Sequence, residues 1–308
     1  MRPSQPDDPP VPLDHITICL CTCRRAGRLA GLLSDLARQE SGGAFTYSLS
    51  VVDNDPAASA SEVIAAFARK GTLPVQASWE PEPNIARSRN RSLAGASGNL
   101  VAFIDDDETP APDWLRRLHT ALLRDGTSAV LGPVRPRYAS PPPAWVVRGR
   151  FWERDELPTG SRLPWTRCRT GNALVRKPAL DSLQPAFDAR LTTGGEDVDL
   201  FRRLASRGHS FSWCAEAIVH EEVPLHRCTR RYLLRRALLR GRDSLRVTPA
   251  PLRATASSAA ALPIYTLLLP PALLCGQPTF MRLAVRIGDH AGRLLAAAGL
   301  EPVHKRNP

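Results

Sequence analysis

Leu100-Val101-Ala102-Phe103-Ile104-Asp105-Asp106-Asp107-Glu108 is five apolar residues running without a break into four acids. An apolar run of that length reads as a strand buried on both faces. Four adjacent carboxylates repel one another, at a cost that falls when a cation is present. Magnesium or manganese prefers such oxygen ligands and keeps positions open for phosphate. The alternative is a solvated acidic turn. A second stretch has the same form: Leu49 to Val52 stops at Asp53-Asn54-Asp55-Pro56, a turn signal. Asp53 could accept hydrogen bonds from a base or ribose, or serve turn chemistry alone.

Working outward, strand and helix signals alternate. Ile16 to Leu20, Pro74 to Trp79, Ala129 to Leu131, Gly171 to Val175 and Phe211 to Val219 read as strands. Leu29, Leu32, Leu33 and Leu36 follow helical spacing, as do Val63, Ile64 and Phe67, and Trp114, Leu115, Leu118 and Leu122. Further helices are expected over Ile85–Ala96, ended by Gly98, over Glu196–Ser206, and over an arginine-rich stretch from Thr229 to Arg242. This order predicts an α/β fold with a Rossmann-like, mostly parallel central sheet and helices on both faces. Ligands in such sheets sit beyond the carboxyl ends of the strands, where both acidic clusters fall. Pro133 to Arg169 reads as a long irregular loop.

The chain has 308 residues, 43% hydrophobic and 23% charged, an ordinary globular balance. Its net charge of +11 comes from 41 Lys and Arg against 30 Asp and Glu. Most of the cations are arginine, which suits forked contacts to phosphate. Seven cysteines without a paired CxxC set argue against a disulfide scaffold or structural zinc and fit a reducing compartment. Cys19, Cys21 and Cys23 alternate, as small buried residues on one strand face would. Residues 1–13 read as a disordered tail without the apolar core of a secretory signal.

Ala254 to Met281 carries no charge, and Leu262 to Cys275 is strongly apolar. That length allows a membrane span, but Pro263, Pro270 and Pro271 interrupt it. Two readings stand: a helical hairpin at a membrane surface, flanked by Arg253 and Arg282, or an ordinary helix pair on the core. The expected division is 14–248 as the main domain and 249–308 as a helical C-terminal extension.

Several residues could carry chemistry. Thr22, Arg24 and Arg25 follow the first strand, where arginine can meet a diphosphate. In Asn84-Ile85-Ala86-Arg87-Ser88-Arg89-Asn90, Asn84 is a helix-cap candidate. Arg87 and Arg91 share one face with Arg89 pointing elsewhere, so Arg87 is the phosphate candidate. Gly194-Gly195 permit unusual backbone angles before Glu196, Asp197 and Asp199, acids that a helix N-terminus favours and that could include a catalytic base. His220 could complete a metal site. Arg227, Arg231 and Arg235 would share one helical face, able to compensate a diphosphate or a lipid headgroup.

Taken in order, "VVDNDP", "EPNIARSRN", "FIDDDETP", "GGEDVDLFRRL" and "RRYLLRR" resemble the family 2 glycosyltransferases with their GT-A fold, closest to the bacterial exopolysaccharide, succinoglycan-type branch. The resemblance runs from Ile16 to about Arg242. It implies that Asp53 contacts a uracil-type base and that Thr22, Arg25 and Asp105 belong to the donor nucleotide site, to which the reading of the basic helix adds Arg87. Asp105 and Asp107 match the outer acids of the DxD element, with Asp107 the stronger ligand of Mn2+ or Mg2+. Asp197 matches the catalytic base, beside Glu196. The Arg227–Arg231 region resembles the QxxRW element, here without its Gln and Trp. The implied reaction is inverting transfer of a hexose from a nucleotide-sugar, a UDP-sugar, to a glycan or lipid-linked oligosaccharide. Its place would be the cytoplasm or the cytoplasmic face of the inner membrane. Two rivals share some features: a metal-dependent nucleotidyl or phosphoryl transferase, and a basic nucleic-acid binder. The chain has no P-loop and no zinc-finger or RNP-type element, so no nucleic-acid partner is expected.

Overall fold

Ile16, Ile18 and Leu20 alternate with Thr17 and Cys19, and all five are buried. A strand covered on both faces belongs inside a sheet with helices on each side. The computed structural model, which describes residues 13–192 and 194–300, has this arrangement. In chain order the strands are β1 Asp14–Thr22, β2 Phe45–Asp53, β3 Val75–Trp79, β4 Leu100–Ile104, β5 Glu108–Pro110, β6 Ala129–Leu131, β7 Val134–Tyr138, β8 Asn172–Arg176, β9 Phe211–Trp213 and β10 Val219–Val223. The helices are α1 Ala26–Leu36, α2 Ser61–Arg69, α3 Ile85–Ala94, α4 Trp114–Asp125, α5 Ala144–Arg148, α6 Lys177–Asp181, α7 Glu196–Ser206, α8 Arg230–Val247, α9 Pro251–Leu274 and α10 Gln277–Ala297.

Seven strands form one sheet in the order β3-β2-β1-β4-β8-β6-β9. β1 runs parallel to both β2 and β4, while β8 lies antiparallel to β4 and β6. The chain winds outward from β1 to β3 and then returns to place β4 on the other side of β1, so the connections diverge here and leave a crevice at the strand ends. The register sets Thr22 beside Asp53 and Cys19 beside Phe103. One core layer joins Ile16, Ile18 and Leu20 to Leu29, Leu33, Trp114 and Leu118. The other joins Cys19, Val101 and Phe103 to Ala86, Phe187, Leu200 and Phe201. Burial of each such large side chain contributes about 1.5–3 kcal/mol.

A second sheet, β5-β10-β7, carries the chain just past the acids of β4. Here the structure corrects the loop expected over Pro133–Arg169, which contains β7 and α5. β7 reads Val-Arg-Pro-Arg-Tyr and pairs only with β10; an edge position tolerates its proline and its charged residues. The single strand expected over Phe211–Val219 is two, β9 and the start of β10, in different sheets. α3 stops at Ala94 with Gly95 as its cap, before Gly98. Cys19 is buried, whereas Cys21 is half-buried and Cys23 lies beyond the strand and half-buried; all seven cysteines are free thiols. The stretch read as a disordered tail lies, apart from Leu13, outside the described residues.

The C-terminal region is a helical hairpin. α10 packs along α8 at close range: a Cβ on Gly241 or Gly292 would run into the backbone of the facing helix. α9 is different. It leaves Leu252, Ile264, Leu267, Leu268, Leu273 and Leu274 exposed, forgoing about 1.5–3 kcal/mol of burial at each.

Candidate active site

The acids that end β4 do not act alike. Asp105 is the most open, its side chain 47% exposed, with Oδ1 accepting from Arg89 at 3.2 Å. Asp106 turns inward, accepting from the Thr22 hydroxyl at 2.8 Å and from Arg25 at 2.6 Å. Burial raises its pKa above the usual carboxylate range, with Arg25 and the Thr22 hydrogen bond partly offsetting it. Asp107 draws two guanidinium groups, Arg25 at 3.1 Å and Arg227 at 3.5 Å. Its carbonyl accepts from the Glu222 amide, so the second sheet fixes the turn that presents it. Glu108 is buried and its Oε2 accepts from the Asp105 amide at 3.0 Å, bracing the turn from below.

Arg89 joins this cluster to the start of α7. Its Nη1 lies 2.5 Å from Glu196, and both side chains are no more than 10% exposed. Burial alone would lower the Arg89 pKa, but Glu196, Asp105 and Asp197 together outweigh it and hold the group firmly charged. Gly194 and Gly195 have φ of +129° and +89°, angles that side-chain-bearing residues rarely adopt, and they turn the chain into α7. Each helical residue rotates the chain by about 100°, so Asp197 points about 100° from Glu196 and Asp199 about 200° from Asp197. Glu196 therefore meets Arg89, Asp197 meets Arg169 at 3.8 Å, and Asp199 turns away to Arg202 and Arg203. Asp197 also accepts from the Val198 amide at 2.7 Å.

Two clusters thus meet at the adjacent acids after β4: Asp105 joins Glu196 through Arg89, with Asp197 next to Glu196 in the chain and paired to Arg169, while Asp106 and Asp107 gather Thr22, Arg25 and Arg227. Other sequence expectations are revised. Arg89, rather than Arg87, reaches the acids; Arg87 pairs with exposed Glu82 at 3.0 Å on the outer face of α3. The signal was present in the small buried neighbours Ala86, Ser88 and Ser92, which mark the inward face that Arg89 shares. Arg227 lies in a 3-10 turn ahead of the Thr229 cap, so it shares no α8 face with Arg231, which is exposed on the first turn. His220 is flanked in register by Thr109 and Arg135, and strand alternation turns it away from Glu221, the residue that meets Arg154 and Arg227. Burial, then Arg137 and Arg135, lower its pKa, so its surroundings are cationic rather than carboxylate. Asp53 is 2% exposed, and its two oxygens accept from the Asp55 amide at 3.0 Å and the Ala60 amide at 2.6 Å. It shapes the loop that carries Asp55, which pairs with Arg24 from the loop after β1. Asn84 caps α3 as expected, accepting from the Ala86 and Arg87 amides.

Among the described residues no group of three or more His, Cys, Asp or Glu side chains forms a preassembled metal cage. The donors still fit a hard divalent cation that takes its remaining ligands from substrate and water. Asp105 offers a half-exposed carboxylate, and Asp107 holds two guanidinium groups, showing the demand for positive charge there.

Comparison with known proteins agrees with this architecture. The sequence profile described as glycosyl transferase family 2 matches residues 17–183. The succinoglycan biosynthesis protein ExoM of Rhizobium meliloti (strain 1021) is 35% identical over 234 residues, covering 74% of this chain and 73% of that protein. Among solved structures, the mannosyltransferase PcManGT from Pyrobaculum calidifontis, in complex with GDP-Man and Mn2+, superposes with a TM-score of 0.64 at 19% identity over 97% of this chain and 92% of its own. S. aureus TarS 1-349 in complex with UDP gives 0.52 at 13% identity, over 94% and 93%. These two structures have the GT-A fold, and the likeness extends to the sheet and helices described above.

Proposed function

This chain belongs to glycosyl transferase family 2 and is a glycosyltransferase, and from that premise we propose that it is an inverting hexosyltransferase using a nucleotide-sugar donor, a UDP-sugar, in exopolysaccharide or cell-surface glycan synthesis. The observation that carries this reading is the Arg89 bridge, which ties Asp105 of the diphosphate end to the first turn of α7, where Asp197 stands as base.

Thr22 and Arg25 line the nucleotide side, and Asp53 shapes the loop beneath the base. A divalent cation, Mn2+ or Mg2+, would be held by Asp105 and Asp107 and would neutralise the diphosphate. Arg25 and Arg227 stand where they can transfer their charge from Asp107 to the leaving phosphates as the C1–O bond breaks. Asp197 takes the proton of the acceptor hydroxyl as that oxygen attacks C1 from the opposite face, so the anomeric centre inverts in one displacement. Glu196 keeps Arg89 fixed throughout, and Arg231 lies on the acceptor side. The acceptor is a glycan or lipid-linked oligosaccharide, reached from the cytoplasm at the inner-membrane surface. Residues 14–248 form the catalytic unit and the region from 249 its helical extension, of which 301–308 lie outside the described residues. His220 takes no part.

The test is nucleotide release from UDP-hexoses and GDP-hexoses with manganese and no acceptor. Slow, metal-dependent release of UDP is expected, and product formed with an acceptor should carry the inverted anomer by NMR. Release from no UDP-sugar, or a retained anomer, overturns the proposal.

A further inference from the structure

α9 has two unlike halves. From Pro251 to Ala261 it is rich in Ala, Ser and Thr, and Ser258 is fully buried, meeting His290 at 3.1 Å and Arg293 at 2.9 Å. From Leu262 to Leu274 it is apolar and turned outward: Leu267 is 78% exposed, Leu273 61% and Leu274 91%. By length and composition the helix could cross a membrane, but Tyr265 stacks on His290 and the Ser258 contacts tie α9 along α10. A helix fastened to a folded domain in this way lies on a surface instead of crossing it.

The apolar half is also the half nearest the active site. α8 and α10 run parallel: Arg230 meets Gln277 when the Gln277 amide is oriented to accept, Gly288 faces Ala237, and Arg293 bonds Ser244. α9 runs back between their levels, so the Cys275–Gln277 turn stands beside the first turn of α8. Three residues before that turn of α8 lies Arg227, whose guanidinium is 3.5 Å from Asp107. Trp145 of α5 also reaches Gln277, bringing exposed Val147, Arg148 and Arg150 to the same end. Charge there has one sign. No Asp or Glu occurs between Asp243 and Asp289, and Arg148, Arg150, Arg231, Arg282 and Arg286 are all exposed.

We propose that the Leu262–Leu274 half of α9 docks on an anionic lipid bilayer and so holds the mouth of the active site at headgroup level. Exposed leucines enter the headgroup–acyl boundary, and the surrounding arginines meet lipid phosphates. An acceptor carried on a lipid phosphate would then meet Asp197 without leaving the membrane, an orientation that rests on the glycosyltransferase reading above.

The experiment uses the whole chain and vesicles of phosphatidylcholine, alone or mixed with phosphatidylglycerol. An NBD label on exposed Cys275 should shift to the blue on mixed vesicles and be quenched by a lipid-borne spin label. The double variant Leu273→Glu, Leu274→Glu should weaken sedimentation with mixed vesicles at least tenfold. Leu252→Glu should leave it unchanged, because Leu252 is 86% exposed but lies about 33 Å along the helix from Leu274. The proposal is overturned if Leu252→Glu releases the protein equally, if Cys275 does not respond, or if the tip variant only converts a dimer of this chain to monomer without changing vesicle binding. Donor hydrolysis in vesicle-free buffer separates the two readings: the tip variant should retain it whether or not lipid docking holds, and its absence from the unaltered chain would count against the enzyme reading alone.

Discussion

The Arg89 guanidinium bridges Glu196 at 2.5 Å and Asp105 at 3.2 Å, so one buried cation fixes the distance between the acids of β4 and the first turn of α7. Arg89→Met would remove the guanidinium that offsets buried Glu196, a loss of roughly 3–5 kcal/mol in chemical unfolding. Arg89→Lys keeps the charge but not the fork that reaches both acids. It should fold, with turnover lower by about 100-fold from misplacement of the reacting groups. Turnover within a few-fold of the original would show that the bridge does not position the site.

Asp197→Asn removes the proposed base while leaving the contacts of Arg89 with Glu196 and Asp105 in place. Transfer should fall by about 10²–10⁴-fold with donor affinity nearly unchanged. Parallel measurements of transfer rate and of donor binding by calorimetry decide it; near-normal turnover would exclude Asp197 as the base.

Asp107→Ala takes away a carboxylate that pairs with Arg25 and Arg227. The gain in donor affinity on adding manganese should disappear, a loss of at least about tenfold for one removed oxygen ligand. Titrations of UDP-sugar with and without the metal compare the two proteins directly, and an intact manganese effect would move the metal site away from Asp107.

Burial, followed by repulsion from Asp105, raises the Glu108 carboxyl pKa well above its ordinary 4.5. A carboxyl whose folded pKa is raised stabilises the fold fully below pH 4.5 and loses that contribution as pH rises through the folded value. Glu108→Gln keeps an acceptor for the Asp105 amide and cannot ionise. The two proteins should melt alike in acid, and the variant should become the more stable as pH rises toward neutrality. Parallel melting curves across that range would refute the assignment.

Alternation within the chain was sufficient for the α/β order, the strand ends that carry Asp53 and Asp105, the Asn84 cap and the start of α7 at Glu196. These follow from periods of two and 3.6 residues and from local backbone chemistry, which neighbouring residues alone impose. The arginine stretch shows the limit of such reasoning. Helical spacing put Arg227 on one face with Arg231, but the 3-10 turn before Thr229 places it against Asp107 instead. The second sheet went unread because β7 is a short edge strand with a proline, a pattern that short-range periodicity assigns to loop.

The amino-acid sequence by itself determined which residue types reach the carboxyl ends of the strands, because each strand and its following turn are local events. Only the tertiary structure decided which arginine meets which acid. Arg89 and Glu196 are 107 positions apart, and Arg25 and Asp106 81 apart, so no local period relates them. The first pairing depends on α3 and α7 packing on the same face of the sheet, and the second on β1 and β4 ending side by side, where a buried charge must find its counter-charge or be expelled.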